Sequence, residues 1–459
     1  MRTLAALLAS CLALALAATV QAQPAAHPAQ APPALAMGAP FDAAAKRAIV
    51  GEAAKAMRDD YVDPQTGARA ATKLEQALAA GDYDSLQTPA AFADRLTSDL
   101  AQVAHDKHLQ VIAPGQAPPK FDPPPISEAG VVRADRLAGG VGYIEIVDFP
   151  PPGAFKVALD RAMAALANTR ALVIDMRRNG GGSPGGVAYL VSYFVDAKKP
   201  VHVMDLLWRK PGTADYDTMQ TFTSPTPTSY LGKPIYVLTS PRTFSGGEEF
   251  CYDMQNLKLA TLVGETTGGG ANPGGERPLG AGLLMFLPSG KARSPVTGAS
   301  WEGVGVKPDV AAPAAQALQV AVGKLGLAPA SGDIAALSQA SLFKVRAIPV
   351  PGSEAALRRL IESNASGQPD YGQLTPDFAT VVRDQLSYIQ PQLAGLGPIQ
   401  SITFRAPGPM GGDDFEVTFA KGVQRWSLSL TPDGKIDGAF FGPARPVSSP
   451  SAKPTASTG

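Results

Sequence analysis

The sequence predicts an α/β protein with a helical segment before its central core and an α+β segment after it. In the middle of the chain, short apolar runs rich in β-branched residues alternate with helical stretches, which is typical of mostly parallel, buried strands. The strand-like runs are 141–146, 171–176 and 234–240, and the helical stretches are 152–168 and 185–195. We therefore expect an α/β core over 136–326.

The segment before the core has helical periodicity. Apolar residues recur every four positions from Ile49 to Tyr61 and again from Phe92 to Val103, as on helices that bury one face. Thr88 followed by Pro89 is a typical helix start. These features predict a helical N-terminal domain over 41–114.

Two segments beside the core lack a regular pattern. We interpret the proline-rich stretch 115–135 as a linker and 330–350 as irregular chain. Beyond them, an α+β domain is expected over 350–443, with an Asp433-Gly434 hairpin turn. Its predicted helices are 353–363 and 376–394, and its predicted strands are 399–406, 413–420, 423–430 and 436–441.

The N-terminus has the three parts of a secretory signal peptide. Arg2 precedes an apolar run from Leu4 to Val20, and Val20-Gln21-Ala22 forms a small-x-small cleavage pattern. We expect cleavage after 1–22 and export to the periplasm or the medium, with no membrane span afterwards. An uncut membrane anchor, or lipid attachment at Cys11, is the alternative.

Composition excludes several classes of function. Lys+Arg and Asp+Glu number 40 each, and the chain has no basic run, so no nucleic-acid partner is expected. No paired His/Cys cluster has metal-ligand spacing, and we expect neither a metal nor a cofactor. After signal removal, Cys251 has no partner for a disulfide. The Pro/Ala-rich stretches 23–40 and 444–459 are predicted to be a disordered leader and tail.

Ser245 is the first candidate for chemistry. It follows the predicted strand 234–240 and is the first residue of a predicted helix over 245–256. Its hydroxyl is therefore expected to be exposed at the end of a sheet. The N–H of Gly246 at the helix start could donate to a developing oxyanion. Ser245 and Glu248 also have the spacing of a plain capping box, and the residues alone leave both interpretations open.

Two further segments could contribute to the same site. The glycine loop Asp175–Gly182 follows a predicted strand, where ligands of open α/β sheets bind, although a tight turn fits as well. It lacks the Lys-Ser/Thr of a phosphate loop. His108, at the end of the helical domain, is a natural general base near neutral pH, or a structural residue. Glu302, in a short turn, could orient an imidazole or could simply be exposed.

Five segments taken in order resemble the C-terminal processing, or tail-specific, serine peptidase family. They also resemble the branch of that family that includes the tricorn core and interphotoreceptor retinoid-binding protein. The segments are D-x-H-L (106–109), D-x-R-x-N-G-G-G (175–182), TSxxTFSGGEE (239–249), VGETTGGGAN (263–272) and EGxGVxPD (302–309). The resemblance implies a crotonase-like (ClpP-like) core. The C-terminal domain looks like a small cystatin/nuclear-transport-factor-like fold.

The resemblance also implies the role of each residue. Ser245 matches the nucleophile, His108 the general base and Glu302 the supporting carboxylate. Gly246 and the loop glycines Gly180 and Gly181 match the oxyanion-hole donors.

Two features indicate which branch of the peptidase family the chain resembles. The lysine base of the bacterial tail-specific branch is missing from 267–271, and 110–140 is too short for a PDZ insert. Lys107, in front of His108, departs from relatives that carry glycine or serine there, and we expect it to point to solvent. The expected function is an exported serine peptidase that hydrolyses peptides or proteins through an acyl-enzyme. A non-catalytic ligand-binding module or an esterase on the same fold is the alternative.

Overall fold

The computed structural model describes residues 41–113, 126–150, 152–327, 333–408, 411–431, 433–442 and 444–445. The predicted signal peptide and leader lie outside these residues, as do most of the linker and tail. The helices are α1 (Ala43–Asp60), α2 (Pro64–Ala79), α3 (Pro89–Ala104), α4 (Pro152–Leu166), α5 (Pro184–Val191), α6 (Gly246–Asn256), α7 (Ala317–Lys324), α8 (Ile334–Leu337), α9 (Ser353–Ala365) and α10 (Pro376–Leu396).

The strands form four sheets. They are β1 (Gln110–Ile112), β2 (Val131–Leu137), β3 (Val141–Ile146), β4 (Ala171–Asp175), β5 (His202–Arg209), β6 (Tyr216–Phe222), β7 (Ile235–Thr239), β8 (Thr261–Gly264), β9 (Gly274–Gly280), β10 (Leu283–Pro288), β11 (Gly290–Arg293), β12 (Val310–Ala311), β13 (Ser338–Phe343), β14 (Ile399–Pro407), β15 (Asp413–Phe419), β16 (Gly422–Leu430) and β17 (Ile436–Phe441).

Each N-terminal helix begins at a capping side chain, and the cap at Thr88 was predicted. The side chains of Asp42, Asp63 and Thr88 accept backbone N–H groups at the starts of α1, α2 and α3. The helices share their core with a sheet of order β1-β10-β9, through apolar residues such as Leu279 and Met285. A hairpin from later in the chain therefore completes this layer, beside the segment that contains His108.

The central sheet has seven strands in the order β12-β8-β7-β4-β3-β2-β13. The pairs from β3 through β4 and β7 to β8 are parallel, as the apolar runs predicted, and β12 extends them in parallel. Helices α4, α5 and α6 pack on one face and α7 on the other. Since the parallel strands end at one edge, the loops after β4 and β7 meet there.

Both supposedly irregular segments contribute strands to this sheet. β2 begins at Val131 and pairs with β3, so the interpretation of 115–135 as a linker is wrong at its end. β13 pairs antiparallel with β2 at the sheet edge, so 330–350 is not irregular throughout. Most of β13 is exposed, which explains why its sequence carries no apolar alternation. A further sheet of order β11-β5-β6 was also not predicted.

The C-terminal segment folds as expected, with α9 and α10 against an antiparallel meander of order β14-β15-β16-β17. Arg346 connects it to the core, because its guanidinium binds Asp413 and its backbone N–H donates to Glu128. Arg445 still pairs with Val423, so the predicted tail is ordered at its start. Among the described residues, no helix is long and apolar enough to cross a membrane.

Candidate active site

Ser245 lies at a strained turn between β7 and α6. Its φ of 52° and ψ of −123° are unusual for a residue with a side chain. It is the N-cap of α6, and the carboxylate of Glu248 accepts its N–H at 3.0 Å, as the capping box predicts. The turn therefore fixes the backbone of the serine at the sheet edge.

The Glu248 carboxylate ties this turn to the loop after β8. It accepts hydrogen bonds from Thr267 Oγ1 at 2.5 Å, Gly269 N at 2.6 Å and Gly270 N at 2.8 Å, in addition to Ser245 N. Burial raises its pKa, while these donors counteract the rise. Glu248 thus holds the nucleophile turn and the 267–270 loop in one unit.

The glycine loop after β4 packs directly against the serine. A Cβ on Gly181 would lie 2.6 Å from Ser245 Cβ, so only glycine fits. The N–H of Gly180 donates to Val147 O, and that of Gly181 to Asn179 Oδ1. Both N–H groups are engaged in this arrangement and neither is available to an oxyanion, so the assignment of these two residues as donors stays a prediction.

Gly182 is the better-placed loop glycine. Its nitrogen is 3.1 Å from the position of a Cβ on Gly246, and both residues line the same cavity. No described residue accepts the N–H of Gly182. The backbone nitrogen of Gly182 thus lies close to Gly246, the residue that follows Ser245.

His108 faces the nucleophile turn from the helical side. Its ring centroid is 4.5 Å from that of Phe244 and 5.7 Å from that of Phe286. The side chain is only 9% exposed, and neither ring nitrogen has a hydrogen-bond partner among the described residues. Burial lowers the pKa of His108, and the carboxylate of Asp106 opposes this. The ring therefore packs against Phe244, the residue before Ser245, and has no hydrogen bond to Ser245.

Two carboxylates flank the imidazole. Asp106 Oδ1 is 3.8 Å from His108 Nδ1, and its Oδ2 accepts from Tyr61 Oη and Asn272 Nδ2. Glu302 Oε2 accepts from Ala271 N at 2.5 Å. One ligand atom from each of the three side chains lies within 4.8 Å of the others, so this cluster could also hold a metal ion.

The environment of Glu302 differs from that of an exposed carboxylate. Its pKa is raised to about 7, first by burial and then by the negative charge of Asp106. One imidazole therefore lies beside two carboxylates, at a position that water reaches poorly.

Lys107 does not simply point to solvent, as its sequence position suggested. Lys107 is an exposed residue, but its ammonium group donates a hydrogen bond to Gly268 O, in the 267–270 loop that Glu248 also binds. The other described histidines lie elsewhere. His105 caps the C-terminus of α3, and His202 pairs with Asp205.

The site lies in a cavity of about 570 Å³. Ser245, His108, Gly182 and Gly246 line it together, although they come from three different segments of the chain. Glu302 contacts the rim through Ala271, which also lines the cavity.

The comparison with known families agrees with this geometry. The model of peptidase family S41 matches residues 140–312, and that of the N-terminal domain of peptidase S41 in eukaryotic IRBP matches 43–132. Together they cover more than half of the chain. The chain belongs to peptidase family S41. It is a serine-type peptidase of this family, whose substrates are peptides or proteins.

Several solved structures resemble this S41 peptidase at low identity. The photosystem II D1 C-terminal processing protease is 15% identical with a TM-score of 0.42, and the match covers 64% of this chain and 98% of that one. A lipoprotein from Streptococcus agalactiae gives 15% identity and a TM-score of 0.43 over 63% of this chain and 98% of that one. A candidate peptidase from Parabacteroides merdae ATCC 43184 is 20% identical, with a TM-score of 0.44 over 58% of this chain and 90% of that one.

The sequence assigned no catalytic role to Asp106 or Glu248, and it included Gly182 only as one of the 180–182 loop glycines, a member of which was expected to be an oxyanion donor. Asp106 belongs to the D-x-H-L segment and could have been suspected from its position two residues before His108. Glu248 was assigned only to helix capping. Gly182 could not be distinguished from its neighbours, because the direction of each N–H depends on the fold of the loop.

Proposed function

We propose that this S41 peptidase is an exported enzyme that cleaves peptide bonds with Ser245 as nucleophile, His108 as general base and Glu302 as supporting carboxylate. The observation that carries the proposal is the shared cavity, which Ser245, His108 and the paired glycines Gly182 and Gly246 line together. A nucleophile, a base and two backbone donors in one cavity are the parts that acyl transfer needs.

The reaction follows from the positions of these groups. His108 takes the hydroxyl proton of Ser245 while the oxygen attacks the peptide carbonyl carbon, and the N–H groups of Gly182 and Gly246 stabilise the oxyanion. The imidazolium then gives its proton to the leaving amine, which leaves an ester on Ser245. Water, deprotonated by His108, hydrolyses this ester.

The carboxylates support the imidazolium that forms in each step. Asp106 lies beside the ring and supplies negative charge, and Glu302, whose pKa is raised to about 7, adds to this charge in its deprotonated form. Since His108 has no hydrogen bond to Ser245 in the free protein, we expect a small ring movement when substrate fills the cavity.

We also propose the finer assignments of fold and location. The parallel strands β3, β4, β7 and β8 with flanking helices suit a crotonase-like core, and the meander with α9 and α10 suits a cystatin/nuclear-transport-factor-like domain. Export rests on the signal-like sequence 1–22.

The proposal is tested with purified protein and a pool of internally quenched peptides. Ser245→Ala should abolish cleavage, and Ser240→Ala, which removes a hydroxyl from the same turn, should retain at least part of it. Full activity in Ser245→Ala would contradict the proposal. Matched ester and amide substrates distinguish an esterase, which would cleave only the esters.

A further inference from the structure

The cavity extends beyond the reacting groups into a pocket that the proposed mechanism does not use. This part lies between α6 and the β11-β5-β6 sheet. A pocket next to a nucleophile receives a side chain of the substrate, and its lining decides which one. Its apolar lining consists of Leu206, Trp208, Met219, Phe286, Ala292 and Trp301.

One acidic side chain interrupts this apolar lining. Glu249 lies one helical turn beyond Ser245 on α6, lines the same cavity and is only 4% exposed. Its Oε1 atom has no hydrogen-bond partner among the described residues. A buried carboxylate without a partner is costly, and such groups are seldom found outside functional sites.

A second buried carboxylate lies behind the first. Asp253 follows Glu249 by one turn of α6, is 3% exposed, and its Oδ2 atom is also unpartnered. Within the described part of the chain, no lysine, arginine or histidine forms an ion pair with either residue. The described residues therefore place no cation in contact with these two acidic groups, and Lys107, which lines the same cavity, donates to Gly268 O instead.

We propose that Glu249 makes this pocket the binding site for a cationic substrate side chain, so that the enzyme cleaves after lysine or arginine. This inference rests on the proposed function, since it assigns the residue whose carbonyl Ser245 attacks. The Oε1 atom is shielded from solvent, so the carboxylate has to turn towards the cavity, where an ammonium or guanidinium group supplies the donors that Glu249 lacks. An apolar side chain would instead cover the carboxylate and leave its oxygen unpartnered, which disfavours uncharged substrates.

Proton binding supports the same assignment. Burial raises the pKa of Glu249 to about 8, and burial, together with the neighbouring Glu249 carboxyl, raises the pKa of Asp253. In the empty pocket at neutral pH, Glu249 therefore retains its proton. A cation that enters the pocket takes the place of this proton, so that binding releases a proton to solvent.

The first experiment compares matched peptides that differ only at the residue before the cleaved bond. Arginine is compared with citrulline, and lysine with norleucine, because each pair differs in charge more than in size. We expect the wild type to prefer the charged member at least about tenfold in kcat/KM. Glu249→Gln should abolish that preference and retain cleavage of the norleucine peptide, whereas the exposed control Glu52→Gln should leave the preference unchanged.

The outcomes separate this inference from the proposed function. Cleavage of norleucine and citrulline peptides at least as well as the charged ones would overturn the inference and leave the peptidase function standing. An unchanged preference in a folded Glu249→Gln variant would also overturn it. Cleavage of none of the peptides would contradict the proposed function. In that case the benzamidine titration described next tests whether the pocket binds a cation.

The second experiment measures binding without catalysis. Benzamidine, a small amidinium ion, is titrated into Ser245→Ala by calorimetry at pH 7 in buffers of different ionisation enthalpy. We expect saturable binding with release of a proton, and at least about tenfold weaker binding when Glu249→Gln is added. Absence of binding, or binding that does not depend on Glu249, would overturn the inference whatever the kinetics show.

Discussion

His108 Nδ1 and Asp106 Oδ1 lie 3.8 Å apart, which is too far for a hydrogen bond but close enough for charge stabilisation. The imidazole is therefore supported by a charge and held in place by packing. Its orientation depends on Phe244 and Phe286. This arrangement suits a base that carries a proton only briefly.

The pH dependence of the reaction should report this environment. Because burial lowers the pKa of His108, the base stays neutral to lower pH than a free imidazole. We expect kcat/KM to rise with pH along a limb whose midpoint lies below 6.5. Asp106→Asn removes the charge that opposes the shift and should move the limb further to acid. A midpoint well above 7 in the wild type would contradict this.

The identity of the base can be tested with two neighbouring residues. His108→Gln should lower kcat by about 10²- to 10⁴-fold, as expected for loss of a general base. Lys107→Met should change kcat less than about fivefold, because its ammonium contacts Gly268 O and has no role in the proposed proton transfer. The opposite ranking in steady-state kinetics would indicate a lysine base.

Gly270 should be a sensitive position although its side chain is a hydrogen atom. A Cβ there would lie 2.3 Å from Phe244 Cζ and 2.8 Å from His108 Cε1, so Gly270→Ala displaces the base. We expect at least about a tenfold loss of kcat with the fold retained. Gly275→Ala is the matched control, since a Cβ at Gly275 meets nothing within 4 Å. Equal activity of both variants would show that the ring position does not matter.

The Glu249 carboxyl should make stability depend on pH. Its folded-state pKa of about 8 exceeds the ordinary 4.5, so the folded protein binds a proton that the unfolded chain releases. The free energy of unfolding should therefore fall as pH rises from about 4.5 to 8. In the Ser245→Ala background, the urea concentration at half unfolding should fall between pH 6 and pH 9. Glu249→Gln should make this fall smaller, whereas Glu52→Gln should leave it unchanged. An identical pH dependence in both variants would contradict the shifted pKa.

Zinc should inhibit the enzyme, and chelation should not. The imidazole and carboxylates of His108, Asp106 and Glu302 are ligands that zinc accepts, and they lie within reach of one ion. Zinc bound there would occupy the base, so micromolar zinc should lower kcat and EDTA should restore it. Loss of activity on EDTA treatment alone, with recovery by zinc, would indicate a metallopeptidase.

Sequence patterns predicted those parts of the fold that carry strong local signals. The buried runs of β3, β4 and β7, and the cap at Thr88, agree with the structure because apolar periodicity and capping are local properties. β13 was missed, since an exposed edge strand needs no apolar face. The β11-β5-β6 sheet was missed as well, since its pairing joins distant segments.

The candidate site was also predicted only in part from the sequence. Ser245 and His108 could be nominated from motifs, and they line one cavity. The choice of Gly182 over Gly180 and Gly181 depends on which N–H groups the surrounding backbone already engages. Glu248 and Glu249 are identical letters in sequence. Because successive residues of a helix point about 100° apart, Glu248 binds the 267–270 loop whereas Glu249 lines the cavity.

The most direct test of the central claim is covalent labelling of the purified protein with a fluorophosphonate, followed by mass-spectrometric mapping of the modified peptide. The account predicts one adduct, on Ser245, that forms more slowly at acidic pH and in His108→Gln, and that is absent in Ser245→Ala. No adduct on the folded wild type, or an adduct on another serine, would contradict the assignment of Ser245 as nucleophile.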